Sequence, residues 1–449
     1  MKRRLLCVLL SMTLPLSASA PAFGAESLLS LYREALTTNA SFLAARAGAE
    51  ADQENEYIAR GQLLPNLSLG GSYGQNMTER QIASTPTQTF NYQSYAYNVN
   101  LRQPIFRKYN WALYEQSKAQ GAAAAQRLNQ AGNDMATRLV GAYLELLFSE
   151  DQLRLLAAQK SAIAAQMRAA EKGLIAGSGT RIDVDEAKAR YDMILAQELE
   201  AQNLQMHQRR TLGAMVNRQI GEVVELNGER FKLSPPMPGD VDSWLRTAEE
   251  NNAEFQAALQ LVKAAEQEVE KALAGHYPTV DLVAGAGRSS NDNLSNLNQF
   301  GNTDYSTLSY GVQLNMPLFA GGQVNATVHQ ARAKLEQIRQ QAEEVRRNVD
   351  VQTRREFHNV VQGIAKIRAL ERAAVSGRQT VLSTKKGIEA GVRTTLDVLQ
   401  AEQQYFIVLR DLAQARYSYL IAGFKLKGLA GILSESELAG LSSQLSDAR

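Results

Sequence analysis

Along most of the chain the apolar positions recur at helical spacing, but in two windows the period falls to two. Tyr95, Tyr97, Val99 and Leu101 alternate with Ala96, Asn98, Asn100 and Arg102. Leu308, Tyr310, Val312, Leu314 and Met316 alternate with Ser309, Gly311, Gln313 and Asn315. Strict alternation marks a strand with one apolar and one polar face. Leu67, Leu69 and Tyr73 carry a similar pattern ahead of a polar segment at about 77–91, as do Val280, Leu282, Ala284 and Ala286 ahead of another at about 291–304. Each window therefore predicts two strands joined by a loop rich in Asn, Thr, Gln and Ser. Strands of about ten residues, apolar outside and polar inside, suit a transmembrane barrel; the same alternation suits an antiparallel sheet laid on a soluble core. In lipid every strand edge must be paired, so the membrane reading requires several chains to contribute four strands each.

The remaining segments predict helices, some very long. Beyond position 24, prolines stand only at 65, 86, 104, 235, 236, 238, 278 and 317, leaving Ile105–Ser234 and Leu318–Arg449 free of them. Both stretches are rich in Ala, Gln, Glu, Arg and Leu, the stronger helix formers. A helix over Tyr109–Lys172 would measure roughly 95 Å at 1.5 Å per residue. That length suits a coiled coil or an element that spans a distance. Shorter helices are predicted over Ser27–Gln62 and Val241–Gly275.

The pattern is made twice. "NASF" at 39 returns as "NAEF" at 252, "LPNLSL" at 64 as "YPTVDL" at 277, and "YNVNLRQPIF" at 97 as "YGVQLNMPLF" at 310. The shift is about 213 residues throughout, and "GSGTRIDVDEA" at 177 returns as "GVRTTLDVLQA" at 391. A constant shift across four signatures reads as an internal duplication. The expected organisation is a leader over 1–24, a first repeat over 25–234, a linker over 235–240 within "SPPMPGD", and a second repeat over 241–449.

The last signature interrupts each long helical run. Glycine just past a helix end supplies the left-handed conformation that stops it, which assigns Gly177 and Gly391. Thr180 stands three residues before Asp183 and Thr394 three before Asp397, the spacing of a capping box with Asp in the Glu position. Each signature is then a helix–turn–helix tip, and capping alone accounts for both aspartates. Where several copies meet at a tip, the same carboxylates and arginines form rings around one axis, and such rings set ion selectivity and gate pores.

Composition narrows the function. Lys2, Arg3 and Arg4, an apolar run from Leu5 to Leu16 and small residues through Ala25 form a secretory signal, cut after Gly24 or Ala25. Cys7, the single cysteine, lies inside it, so the mature chain is expected to have no disulfide and no thiol chemistry. The formal charge of +2 becomes +2 − 3 = −1 without the three leader cations, which gives no electrostatic footprint for nucleic acid. The four histidines, at 207, 276, 329 and 358, lack metal-site spacing. "GAGRSS" (285–290) and "AGSGT" (176–180) fall short of nucleotide-binding loops, and no nucleophile motif occurs. The chain is not expected to be an enzyme or to hold a cofactor or metal.

The duplicated helix, two strands and long helices, with "GVRTTLDVLQAEQQYF" (391–406) and "NMPLFAGGQVNATVHQAR" (315–332), resemble the TolC family of outer-membrane channel tunnels. The resemblance covers the whole mature chain. It implies an α+β membrane protein of the Gram-negative outer membrane: a homotrimer with a long α-helical periplasmic tunnel and a trimeric 12-stranded β-barrel, four strands per chain, set in outer-membrane lipid. It also implies a tip closed at rest, and docking to a periplasmic adaptor and an inner-membrane ABC transporter or RND pump. By position, Arg393 matches an arginine that helps to hold the tip closed, Asp397 the first of two aspartates ringing the entrance, and Asp183 a first-repeat aspartate of the closing network. Gln400 stands where family members carry the second aspartate, and Ile388 where they carry a tyrosine. "GHYPTVDLVA" (275–284) resembles the type I protein secretion subgroup, ahead of multidrug efflux or a non-conducting structural role.

Overall fold

The computed structural model describes residues 26–445 apart from 82, 84–85, 227–230 and 293–302; the expected leader, with Cys7, lies outside the described residues. Each half runs helix, helix, strand, strand, long helix, shorter helix. The first half holds α1 (Leu28–Thr38), α2 (Ala40–Gly61), β1 (Asn66–Arg80), β2 (Gln88–Phe106), α3 (Lys108–Ile175) and α4 (Arg181–Val216). The second holds α5 (Val241–Asn251), α6 (Ala253–Leu273), β3 (Thr279–Asn291), β4 (Thr303–Asn315), α7 (Gln323–Glu389) and α8 (Thr395–Leu429), followed by a short α9 (Glu435–Gln444). At 68 and 67 residues, α3 and α7 each reach about 100 Å.

The single helices expected over Ser27–Gln62 and Val241–Gly275 are each broken in two, at Asn39 and Asn252. The reason is local. Asn39 Oδ1 accepts from the Phe42 N–H at 3.0 Å and Asn252 Oδ1 from the Phe255 N–H at 3.0 Å, so each side chain caps a new helix. Their amides donate to the carbonyls of Met215 (3.0 Å) and Leu429 (2.9 Å), at the ends of α4 and α8. The repeated "NAxF" is thus a corner that pins a short helix pair to the end of a long one.

The four strands form one antiparallel sheet in the order β1-β2-β3-β4. β2 and β3 pair from Ser94↔Asn291 to Phe106↔Val280, so the two repeats are joined through their strands, and the outer edges of β1 and β4 stay open. The register stacks apolar residues on one face, in rows such as Leu69, Val99, Ala286 and Leu308, or Leu67, Leu101, Ala284 and Tyr310. That face is bare: Leu69 is 78%, Leu308 77% and Tyr310 84% exposed. An apolar stripe on a sheet laid over a soluble core would be covered; this one is presented outward. The other face is small and polar, and crowded. A Cβ at Gly287 would come within 2.9 Å of the Tyr97 carbonyl, so the close approach of backbone there favours glycine.

The first polar segment is mostly ladder and not loop. β1 continues to Arg80 and β2 begins at Gln88, with pairs such as Met77↔Asn91 and Thr78↔Phe90. Backbone pairing needs no apolar face, and Asn76 adds a 2.7 Å bond to Ser94 Oγ.

The hydrophobic core lies at mid-length of the helical region, where Leu28, Leu31, Leu139, Tyr143, Leu146, Leu147, Ile367 and Leu426 are fully enclosed. The Tyr143 hydroxyl lies 3.0 Å from the carbonyls of Glu26 and Val224 and accepts from the Val224 N–H. Toward the tips only a thin second cluster remains, built from Leu156, Ile163, Ala187, Ile194, Ala201 and Leu399.

Candidate functional site

Both tips are built by the same backbone chemistry. Past α3, Gly177 takes φ +73° and the Gly173 carbonyl accepts from the N–H groups of Ser178 (2.9 Å) and Gly179 (3.0 Å). Past α7, Gly391 takes φ +73° and the Gly387 carbonyl accepts from Val392 (2.9 Å) and Arg393 (3.1 Å). Thr180 Oγ1 accepts from the Asp183 N–H at 3.3 Å while Asp183 Oδ2 accepts from the Thr180 N–H at 3.0 Å. Thr394 and Asp397 repeat this at 3.3 and 2.8 Å. Two reciprocal bonds satisfy orphan donors at each helix start.

These bonds set the charge of the tip. Hydrogen bonds from the Thr180 hydroxyl and N–H hold the Asp183 carboxyl below the usual aspartate range, with help from the Thr395 hydroxyl of the second tip. The Asp397 carboxyl is likewise lowered, first by the Thr394 N–H, then by its hydroxyl and by the Arg393 charge. Both sit at helix N-termini, where negative charge is favoured, so both are ionised at neutral pH.

Arg393 is only loosely held. Its guanidinium lies 3.7 Å from Asp397 and its side chain is 60% exposed, a geometry worth little to stability. Its stem crosses Gly387, where a Cβ would come within 2.6 Å of Arg393 Cγ. Gly179 occupies the corresponding place in the first tip, whose arginine, Arg181, lies two residues further on and pairs with Asp185 at 3.2 Å. Gln400 is exposed on α8 and Ile388 half-buried at the end of α7. Among the described residues no group of His, Cys, Asp and Glu could hold a metal ion.

Three side-chain clusters escaped the sequence reading. At the junction of strand and helix, Asp281 is 2% exposed and accepts from Arg102 (2.6 Å) and, through both oxygens, from Arg107 (2.7 and 2.5 Å). Between α7 and α8, Lys385 Nζ lies 2.6 Å from Glu402 Oε1. Between α4 and α8, Arg190 donates to Gln403 Oε1 at 2.6 Å. Partners 179 and 213 residues apart leave no local signal; the alternation placed Arg102 on a polar face without saying what it meets.

Residues 31–218 and 244–432 match the family described as Outer membrane efflux protein. The chain is 32% identical over 421 residues to the alkaline protease secretion protein AprF of Pseudomonas aeruginosa, covering 92% of this chain and 86% of that one. It is 31% identical to the proteases secretion protein PrtF of Dickeya chrysanthemi, covering 97% and 94%. It is 29% identical to the outer membrane protein TolC of Escherichia coli, covering 99% and 90%. Among solved structures it is similar to the outer membrane protein VceC of Vibrio cholerae, with a TM-score of 0.75, 22% identity and 92% and 95% of the two chains covered. The fold and the bare apolar stripe therefore define an outer-membrane export protein whose helices extend into the periplasm. The chain belongs to the outer membrane efflux protein family. Among the described residues no helix is long and apolar enough to cross a membrane.

Proposed function

We propose that the chain is the outer-membrane exit duct of a type I protein secretion system, conducting substrate passively from an inner-membrane ABC transporter and its periplasmic adaptor to the outside. The observation that carries this reading is the four-stranded sheet with an apolar face, a polar face and two open edges. A lipid-exposed edge is untenable, and pairing β4 of one chain with β1 of the next removes every edge. Three chains give a closed 12-stranded barrel with Ser68, Asn98, Asn100, Ser289 and Gln313 on its wet inner face. The helices continue the duct over about 100 Å. At its end the threefold copies of Asp183, Asp397 and Arg393 ring the axis, and Arg393, weakly held in its own chain, reaches a neighbouring chain to hold the tip closed. The protease-secretion relatives favour a protein as cargo; the family's efflux description supports small-molecule export as the second reading. Nothing in the tip or barrel does bond-breaking chemistry under this proposal.

The test is complementation. In cells lacking the gene, a protein substrate of the cognate ABC transporter is expected to stay inside, and the wild-type chain to restore it to the medium without changing sensitivity to small toxic compounds. Restored drug resistance without restored secretion would favour efflux. Neither effect would overturn the duct.

A further inference from the structure

The polar face of the sheet is almost free of charge. Where all four strands pair, the described residues on that face are uncharged apart from Arg102 and Asp281. The two meet diagonally across the β2–β3 ladder, near the end where β2 gives way to α3. Their surroundings differ. The Asp281 side chain is 3% exposed, enclosed by Arg102 and Arg107. The Arg102 side chain is 53% exposed and reaches Asp281 only through Nε (3.1 Å) and Nη2 (2.6 Å), which leaves Nη1 directed away from the pair. Two arginines and one aspartate give +2 − 1 = +1 per chain, and the exposed part of that charge is the Arg102 guanidinium. The cluster is made only once: 213 positions away, Ser68 stands for Asp281, Asn315 for Arg102 and Ala320 for Arg107.

We propose that Arg102 forms a threefold cationic ring at the base of the barrel and that this ring binds acidic segments of a polypeptide in transit, a reading that rests on the chain being a protein-conducting duct. Asp281 is the positioning residue. It fixes one edge of the planar guanidinium, so less freedom is lost when a second carboxylate takes the other edge. Spacing selects the ligand. Twelve strands about 4.8 Å apart, tilted by about 40°, enclose a wall roughly 24 Å across, which sets three inward arginines on the order of 10–15 Å from one another. A small anion meets one of them at a time. An extended chain advances about 3.3 Å per residue, so carboxylates about four residues apart engage two arginines together, and the second contact is strengthened by the first. The neutral wall around the ring offers no rival charge, so a moving chain is held by its acidic residues at this level.

The experiment is fluorescence anisotropy of a dye-labelled glutamate decapeptide titrated with the detergent-extracted full-length trimer at low salt. Saturable binding is expected, weakening as salt rises, and a lysine decapeptide is expected not to bind. Arg102→Gln is expected to weaken binding of the glutamate peptide about tenfold, and Arg102→Lys to retain most of it. Asn315→Arg extends the ring from three arginines to six and leaves Asp281 and its partners in place, so it is expected to tighten binding severalfold. Should Arg102→Gln fail to assemble, seen as loss of the trimer on a sizing column, the gain in Asn315→Arg decides. No binding of the glutamate peptide by wild type, or equal binding by wild type, Arg102→Gln and Asn315→Arg, would overturn the ring. The measurement needs neither current nor secretion. A chain that binds the peptide and does not restore secretion overturns the duct alone; one that restores secretion without binding overturns the ring alone.

Discussion

At the residue scale the tips are the most legible part of the molecule. Thr180–Asp183 and Thr394–Asp397 bond within three residues of sequence, so spacing alone located them; Arg393 was singled out by resemblance, and the Gly387 groove under its stem is set by the fold of the turn. Thr394→Ala removes one half of a reciprocal cap and is expected to destabilise the second tip by about 1 kcal/mol, seen as faster hydrogen exchange of the amides at 394–398 with the core unchanged. Gly391→Ala forces a Cβ into φ +73° and is expected to cost about 1 kcal/mol with the same local signature. Because both carboxyls are lowered below the usual aspartate range, their contribution is fully present above the unfolded value of about 3.9 and is lost only as pH falls through the lower folded value. Tip protection should therefore be flat from pH 8 to pH 5 and collapse below about pH 4; a collapse near pH 6 would contradict the assignment. Asp281 lay beyond sequence reading, since its two arginines come from the other repeat.

At the scale of elements, period and proline placement located strands and long helices, and the errors have one physical source. Asn39 and Asn252 sit inside unbroken helical patterns; each breaks the helix by capping the one that follows, and the carbonyls of Met215 and Leu429 anchor the break through the side-chain amides, a tertiary contribution that the pattern does not carry. The polar ends of β1 and β2 read as loop because backbone pairing leaves no trace in hydrophobicity. Packing along α3 is uneven, dense around Leu139–Leu147 and thin near the tip. Leu146→Ala, fully enclosed, is expected to cost about 2–5 kcal/mol and to lower the unfolding midpoint measurably. Leu399→Ala, in the thin cluster, should cost less globally and raise exchange only near the tip.

At the scale of the whole molecule, duplication explains why one chain supplies two hairpins and two coiled pairs, and this was visible in the constant shift between motifs. The number of chains was not, because four open-edged strands close with any sufficient number of copies. In one chain β1 and β4 are three strand spacings apart, about 14 Å, too far for a disulfide. Facing cysteines in β1 and β4 are therefore expected to link only between chains, giving a ladder on denaturing gels that stops at the trimer. Linkage within one chain would contradict the barrel.

The most direct test of the central claim is single-channel conductance of the extracted protein in a planar bilayer, comparing wild type with Arg393→Ala. A gated duct predicts a small wild-type conductance and a severalfold larger one in the variant. A protein that stays soluble without detergent, or inserts and passes no current in either form, would contradict it.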